Sequence, residues 1–136
     1  MEYLKEDILK KAIEAKEHAY APYSKFHVGA AVLTEDGNIY TGSNIENSSY
    51  PATICAERVA ISTAVHSGSK KIKMLAIAGD SDYTHPCGIC RQVLVEFSDK
   101  ETLVIVGKDT HNFKVYSVNE LLPYAFTKED IGEEDV

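Results

Sequence analysis

The sequence predicts an α/β protein, a three-layer α/β/α sandwich built on a mixed five-stranded sheet. Amphipathic helical patterns alternate along the chain with short apolar runs. The apolar runs of the second half show no polar alternation, which is typical of central strands covered on both faces. An early antiparallel hairpin, followed by parallel strands with right-handed crossovers, then gives one mixed sheet.

The first third of the chain predicts a helix followed by a β-hairpin. A helix over residues 2–20 is expected to end near Pro22, because apolar residues recur at three- and four-residue spacing. These residues are Leu4, Ile8, Ala12, Ala15 and Ala19. Strands at 28–33 and 38–41 then flank residues 35–37, whose Asp-Gly pair favours a tight antiparallel turn.

The remaining elements alternate helix and strand. Helical spacing predicts helices over residues 55–66 and 88–97, the first ending before a glycine. Continuous apolar runs predict buried strands at 74–78 and 102–106. A last strand around residues 115–116 completes the sheet.

Length and composition predict one domain. The 136 residues are 44% hydrophobic and 26% charged, which is ordinary for a globular protein and excludes a disordered chain. We expect a single domain over residues 1–126. Residues 127–136 are acidic and poor in large apolar side chains, so we expect this tail to be mobile.

The charge and the apolar pattern limit the partners. The formal net charge of -7 repels polyanions over much of the surface, so we expect neither nucleic acid nor membrane as a partner. No segment reaches the roughly 20 apolar residues of a membrane span, and residues 1–7 lack the pattern of a signal peptide. We therefore expect a cytoplasmic protein.

All three cysteines stand at the starts of predicted helices. Cys87 and Cys90 form a Cys-x-x-Cys pair at one helix start, and Cys55 opens another. An odd number of cysteines in a reducing compartment favours metal binding or catalysis over disulfides. Three thiolates converging at helix N-termini predict one Zn²⁺ per chain, with an open fourth position as in catalytic zinc sites.

Two other interpretations of the cysteines remain open. His85, two residues before Cys87, could close the site as a fourth ligand and make it structural. The Cys-x-x-Cys pair could also be a redox pair, although Cys55 would then be unexplained.

Two charged residues beside Cys55 favour catalysis. Glu57 is close enough to the predicted metal to take a proton from a bound water without being a ligand. Its alternative role is a first-turn Glu that only complements the helix dipole. Arg58 is expected to hydrogen-bond the thiolates and reduce their excess charge, and its alternative role is a surface salt bridge.

These motifs identify a family resemblance. Residues 55–58, Cys-Ala-Glu-Arg, followed by residues 86–92, Pro-Cys-Gly-Ile-Cys-Arg-Gln, resemble the cytidine deaminase family, specifically its small homotetrameric enzymes with three zinc cysteines. Similarity extends over about residues 8–126, through the segments 20–24, 26–31, 42–47 and 121–126. The sequence departs from the commonest family pattern at residues 51–54.

The resemblance implies substrate-contacting residues, namely Phe26, Asn44, Glu46, Tyr50, Ala56 and Phe126. Phe26 is expected to stack on the pyrimidine, and Asn44 and Glu46 to hydrogen-bond the ribose. The backbone around Ala56, with Glu57, is expected to recognise the ring edge. In the family, the Tyr50 and Phe126 positions reach a neighbouring subunit's site, which implies a homotetramer with shared sites.

Gln92 is expected to support the cysteines together with Arg58. The implied reaction is hydrolytic deamination of cytidine and deoxycytidine to uridine and deoxyuridine with release of ammonia, a step of pyrimidine salvage. Glu57 is expected to move the protons. The rival functions are deamination of a modified cytosine nucleoside, as in blasticidin-type enzymes, deamination of cytosine within nucleic acid, and a non-catalytic zinc-stabilised binding module.

Overall fold

The computed structural model describes residues 3–132. The strands are β1 (Val28–Thr34), β2 (Ile39–Ser43), β3 (Ile72–Gly79), β4 (Leu103–Asp109) and β5 (Asn112–Ser117). The α-helices are α1 (Lys5–Ala15), α2 (Ala56–His66), α3 (Gly88–Glu96) and α4 (Val118–Leu121). Single 3₁₀ turns form at Lys16–His18, Tyr50–Ala52 and Lys128–Ile131.

The strands form one mixed sheet in the order β2-β1-β3-β4-β5. Strand β1 pairs antiparallel with both β2 and β3, β3 pairs parallel with β4, and β4 pairs antiparallel with β5. Gly37, with φ of +89°, closes the β1–β2 turn in a backbone conformation that suits glycine. The predicted hairpin and the predicted five-stranded mixed sheet are confirmed.

Helices cover both faces of this sheet, which confirms the three-layer prediction. Alternate residues of β1 point to opposite sides: Ala30 and Val32 pack with α2 and α3, while Ala31 and Leu33 pack with α1. Helix α1 approaches β1 so closely that a Cβ on Gly29 would lie 2.0 Å from the carbonyl oxygen of Ala12. Helices α2 and α3 therefore share one face, with their N-termini free to meet.

The first helix is shorter than predicted. It ends at Ala15, a 3₁₀ turn follows, and Glu2 of the predicted helix lies outside the described residues. The prediction through Tyr20 was wrong because the Tyr20 backbone pairs with the loop after β2. Its N–H donates to the carbonyl of Asn44 at 2.9 Å, and its carbonyl accepts from the N–H of Glu46 at 2.8 Å.

The C-terminal segment contains a one-turn 3₁₀ helix in the part of the chain that the structure describes. This turn covers Lys128–Ile131, and Ile131 is 67% exposed. Residues 133–136 of the predicted tail lie outside the described residues. The division into a domain over residues 1–126 and a mobile tail stays a prediction. Within residues 3–132, no helix has the length and apolar character needed to cross a membrane.

Candidate metal centre

The three cysteines meet where two helices begin. Cys55 is the N-cap residue of α2, and Cys87 is the N-cap residue of α3, both with extended backbone. Cys90 lies in the first turn of α3 and is buried. The sulfur of Cys87 lies 3.7 Å from that of Cys55 and 3.2 Å from that of Cys90, and all three sulfurs lie within 4.8 Å of one another.

This spacing fits a tetrahedral zinc ion. Zn–S bonds of about 2.3 Å at tetrahedral angles place sulfurs roughly 3.8 Å apart. Among residues 3–132, this metal-ligand cluster contains only the three cysteines. His85, the alternative fourth ligand, instead places Nε2 2.9 Å from the hydroxyl of Tyr116. The donor set therefore fits one soft tetrahedral ion with a fourth position free.

The surroundings of Cys55 favour its thiolate. Hydrogen bonding from Cys90 lowers the pKa of Cys55 to about 5, against the effect of burial, and Arg58 and Cys87 lower it further. The interaction with Cys55, followed by burial, raises the pKa of Cys90. Nη2 of Arg58 lies 3.7 Å from the sulfur of Cys55 and 3.3 Å from the carbonyl oxygen of Thr53. These contacts place Arg58 at the cysteine cluster.

Glu57 is buried beside the same cluster. It is the second residue of α2 and is only 4% exposed. Burial raises the pKa of Glu57 to about 7, and the charge of Cys55 adds to this rise, while its own backbone N–H and Cys90 oppose it. A buried carboxyl group of this kind beside a metal cluster is typical of a proton-transfer residue.

Asn44 holds the backbone of the segment that carries Phe26. The Oδ1 atom of Asn44 accepts from the N–H of Val28 at 2.9 Å, and its Nδ2 donates to the carbonyl of Phe26 at 2.9 Å. The Asn44 side chain is nearly buried, whereas Phe26 is 37% exposed. These two predicted substrate residues are thus brought together.

Glu46 and Tyr50 line one small cavity of about 290 Å³, together with Tyr23, Ser24 and Thr53. Glu46 accepts hydrogen bonds from the Ser24 hydroxyl and from the N–H groups of Tyr23 and Ser24, the last two at 2.9 and 3.1 Å. These bonds, led by the Ser24 hydroxyl, lower the pKa of Glu46. The ring of Tyr50 meets that of Tyr23 edge-on at 5.8 Å.

The unusual segment at residues 51–54 connects this cavity to the cysteines. It continues the 3₁₀ turn Tyr50–Ala52 and then pairs Ile54 with Ile45 through two backbone hydrogen bonds of 2.9 and 3.0 Å. Thr53 lines the cavity and also accepts the Arg58 hydrogen bond. Arg58 therefore connects one wall of the cavity to the cysteine cluster.

Phe126 and Gln92 lie together, but away from this cavity. Nε2 of Gln92 donates to the carbonyl of Phe126 at 2.8 Å, and the Phe126 side chain is 62% exposed. This hydrogen bond does not involve the cysteines, and the expected support of the cysteines by Gln92 stays a prediction. Ala56 is fully buried.

Two positions were not assigned a function from the sequence. Asp80 accepts from the backbone of His27 and pairs with Lys16, close to Phe26. Arg91 donates through Nε to the carbonyl of Pro86 at 2.8 Å and through Nη1 to that of Leu121 at 2.7 Å. The sequence feature that could have indicated Asp80 is its position directly after a buried strand, because ligand sites commonly form at the carboxyl ends of strands.

Residues 3–106 match the family described as the cytidine and deoxycytidylate deaminase zinc-binding region. The chain is 44% identical over 127 residues to the cytidine deaminase of Halalkalibacterium halodurans, covering 93% of this chain and 96% of that protein. It is 46% identical over 128 residues to the cytidine deaminase of Sporosarcina psychrophila, with 93% and 94% coverage.

Solved structures agree with the sequence relatives. The crystal structure of cytidine deaminase from Burkholderia pseudomallei superposes with a TM-score of 0.86 at 38% identity, covering 91% of this chain and 100% of that one. That of cytidine deaminase from Mycobacterium tuberculosis gives a TM-score of 0.80 at 36% identity, covering 91% and 98%. With its three convergent cysteines, the chain belongs to the cytidine and deoxycytidylate deaminase family.

Proposed function

We propose that the protein catalyses zinc-dependent hydrolytic deamination of cytidine and deoxycytidine to uridine and deoxyuridine, with release of ammonia, in pyrimidine salvage. The observation that carries the proposal is the convergence of Cys55, Cys87 and Cys90 within 4.8 Å, beside the buried carboxyl group of Glu57. The names of the relatives support the choice of substrate.

Cys55, Cys87 and Cys90 would hold the zinc ion, which when bound supplies Lewis-acid activation of a water molecule. Glu57 would take one proton from the water that adds to C4 of the pyrimidine and deliver it to N3. It would then pass the proton of the resulting C4 hydroxyl to the amino group, so that the C4–N bond breaks and ammonia leaves. The burial of Glu57 excludes bulk water from these transfers. Arg58 moderates the negative charge of the thiolates through its contact with Cys55.

Binding of the nucleoside is assigned to the other half of the site. Phe26 presents a partly exposed ring for stacking on the base. Asn44 uses one amide N–H for the Phe26 carbonyl and keeps its second N–H for a ribose hydroxyl. Glu46 lines the cavity with a carboxylate that can accept from the sugar. The backbone N–H of Ala56, the first residue of α2, has no partner within the helix and is assigned to the edge of the base.

We further propose a homotetramer with shared sites. Tyr50 and Phe126 are 70% and 62% exposed, which leaves both aromatic side chains free to contact a neighbouring chain. Contact with a neighbouring chain would cover them and place each beside that neighbour's site. A cytoplasmic location is supported by the three cysteines, all of which are free in this structure.

The test is product analysis with the zinc-loaded chain. Cytidine and deoxycytidine are each expected to give the matching uracil nucleoside and one equivalent of ammonia. A modified cytosine nucleoside and single-stranded DNA containing cytosine serve as alternative substrates. Turnover confined to either of these would support the corresponding rival, and zinc binding without any turnover would support a binding module.

A further inference from the structure

The segment that carries Phe26 is not part of the sheet. It precedes β1, and its backbone turns at Lys25, where φ is +62°, in the left-handed region that disfavours residues other than glycine. Because the ring of Phe26 is 37% exposed, burial alone does not fix its position. The position of the ring therefore depends on the groups that hold the neighbouring backbone.

Side chains form hydrogen bonds with successive backbone N–H and carbonyl groups of this segment. The N–H of Phe26 donates to the hydroxyl of Ser24 at 3.0 Å, and its carbonyl accepts from Asn44. The N–H of Val28 donates to the same Asn44. Between them, the N–H of His27 donates to the carboxylate of Asp80 at 2.8 Å. Unlike Asn44, which is assigned to the ribose, Asp80 is used by no assigned step of the reaction.

Asp80 connects three parts of the fold. It directly follows β3, and its Oδ2 accepts from both the backbone N–H and the Nδ1 of His27, the second at 3.0 Å. Its Oδ1 pairs with Nζ of Lys16 at 3.1 Å, and Lys16 also donates to the carbonyl of Gly79 at 3.3 Å. The carboxylate thus joins the turn after α1, the entry to β1 and the end of β3.

We propose that Asp80, held between His27 and Lys16, is a positioning residue that sets how Phe26 meets the pyrimidine ring. The inference rests on the proposed function, in which Phe26 stacks on the base. Because Asp80 acts through Phe26 and the metal cluster is held by α2 and α3, its loss should raise KM more than it lowers kcat.

The test is a double-mutant cycle on the zinc-loaded protein with cytidine as substrate. Phe26→Ala should raise KM about 10-fold to 100-fold through loss of base stacking. Asp80→Ala should raise KM about 10-fold, since a misplaced binding group loses most of its contact. In the Phe26→Ala background, the additional effect of Asp80→Ala should fall below about 2-fold, because the residue on which it acts is already absent.

Three further variants make the result specific. Asp82→Ala removes the same charge two residues away, from an exposed side chain, and should leave KM and kcat unchanged. Asp80→Asn keeps one acceptor oxygen for the His27 N–H and should recover part of the loss. Lys16→Met retains Asp80 and should raise KM less than Asp80→Ala does. Asp80→Asn and Lys16→Met also carry the test if Asp80→Ala does not fold.

The outcomes separate the inference from the proposed function. If the double variant raised KM by the product of the two single effects, Asp80 would act independently of Phe26 and the positioning role alone would be overturned. Equal effects of Asp80→Ala and Asp82→Ala on KM would overturn it as well. An unchanged KM in Phe26→Ala would overturn the stacking role and the inference together. Failure of the unsubstituted, zinc-loaded chain to deaminate cytidine would overturn the proposed function.

Discussion

The guanidinium of Arg58 lies 3.7 Å from the sulfur of Cys55, through Nη2, while the same nitrogen donates to the carbonyl of Thr53. One side chain thus contacts a cysteine of the metal cluster and a residue that lines the cavity of Glu46 and Tyr50. Three thiolates on a divalent ion leave one excess negative charge, so a cation at this distance stabilises the loaded site.

Arg58→Ala is therefore expected to weaken zinc binding by about 10-fold to 100-fold, as loss of a group supporting the ligands typically does. Competition with a chelator of known affinity measures the change. Arg58→Lys is the matched control, because it keeps the charge and should retain more of the affinity. Unchanged zinc affinity in Arg58→Ala would show that the contact with Cys55 has no energetic consequence.

Glu57→Gln should keep zinc but lose turnover. Glutamine preserves the shape of the buried side chain and cannot transfer a proton, so kcat should fall by roughly 100-fold or more. Metal analysis and steady-state kinetics measure the two effects. Glu101→Gln, a change at an exposed position, is the control for loss of one carboxylate. Normal kcat in Glu57→Gln would leave Glu57 with only a helix-dipole role.

Phe126→Ala should raise KM strongly by removing an aromatic face from a neighbouring subunit's site. Mixing Phe126→Ala with Glu57→Gln chains should restore some activity, because a mixed assembly can combine an intact Phe126 with an intact Glu57. Sedimentation shows the oligomeric state, and native mass spectrometry with one variant isotopically labelled confirms subunit exchange. If activity did not recover despite proven subunit exchange, or if the monomer were fully active, Phe126 would have no role in a neighbouring subunit's site.

The contribution of Asp80 to stability should depend on pH. Hydrogen bonding by the backbone and ring of His27, followed by Lys16, lowers the pKa of Asp80 to about 2 from the ordinary value of 3.8, although burial opposes the shift. A carboxyl group with a lowered folded-state pKa stabilises the fold above its unfolded-state pKa, and that stabilisation is lost as pH falls toward the folded-state value.

Asp80→Asn should therefore lower the free energy of unfolding by about 1 kcal/mol at neutral pH, a typical size for partly exposed charged hydrogen bonds. The difference from the unsubstituted chain should stay constant down to about pH 5 and shrink between about pH 4 and 2. Urea unfolding of both chains across this range is the measurement. A difference that grows on acidification would contradict the assigned direction.

The layered fold was predictable because its signals are local. The uninterrupted apolar residues of β3 and β4 indicated strands covered on both faces, and the Asp-Gly pair before Asn38 indicated the hairpin. The end of α1 was not predictable, because it depends on pairing between Tyr20 and residues 44–46. The short helix α4 had a usable signal in the Ser117 and Glu120 capping box, which apolar periodicity does not show.

In the candidate site, too, some features could be predicted from the sequence and others could not. Thiol chemistry and helix starts were sufficient to group Cys55, Cys87 and Cys90, since few structures other than a metal site use three such cysteines. The contact between Asp80 and His27 joins residues 53 positions apart, and no spacing rule indicates it. The orientation of Gln92 toward Phe126 likewise depends on the path of the C-terminal segment.

Zinc titration of the metal-free protein, with cytidine turnover as the readout, tests the zinc-dependent reaction most directly. Activity should be absent after chelation, rise linearly with added zinc and saturate at one ion per chain, as the single three-cysteine cluster of the described residues requires. Cys87→Ala should show neither binding nor turnover. Full activity without metal, or in Cys87→Ala, would contradict the zinc-dependent mechanism.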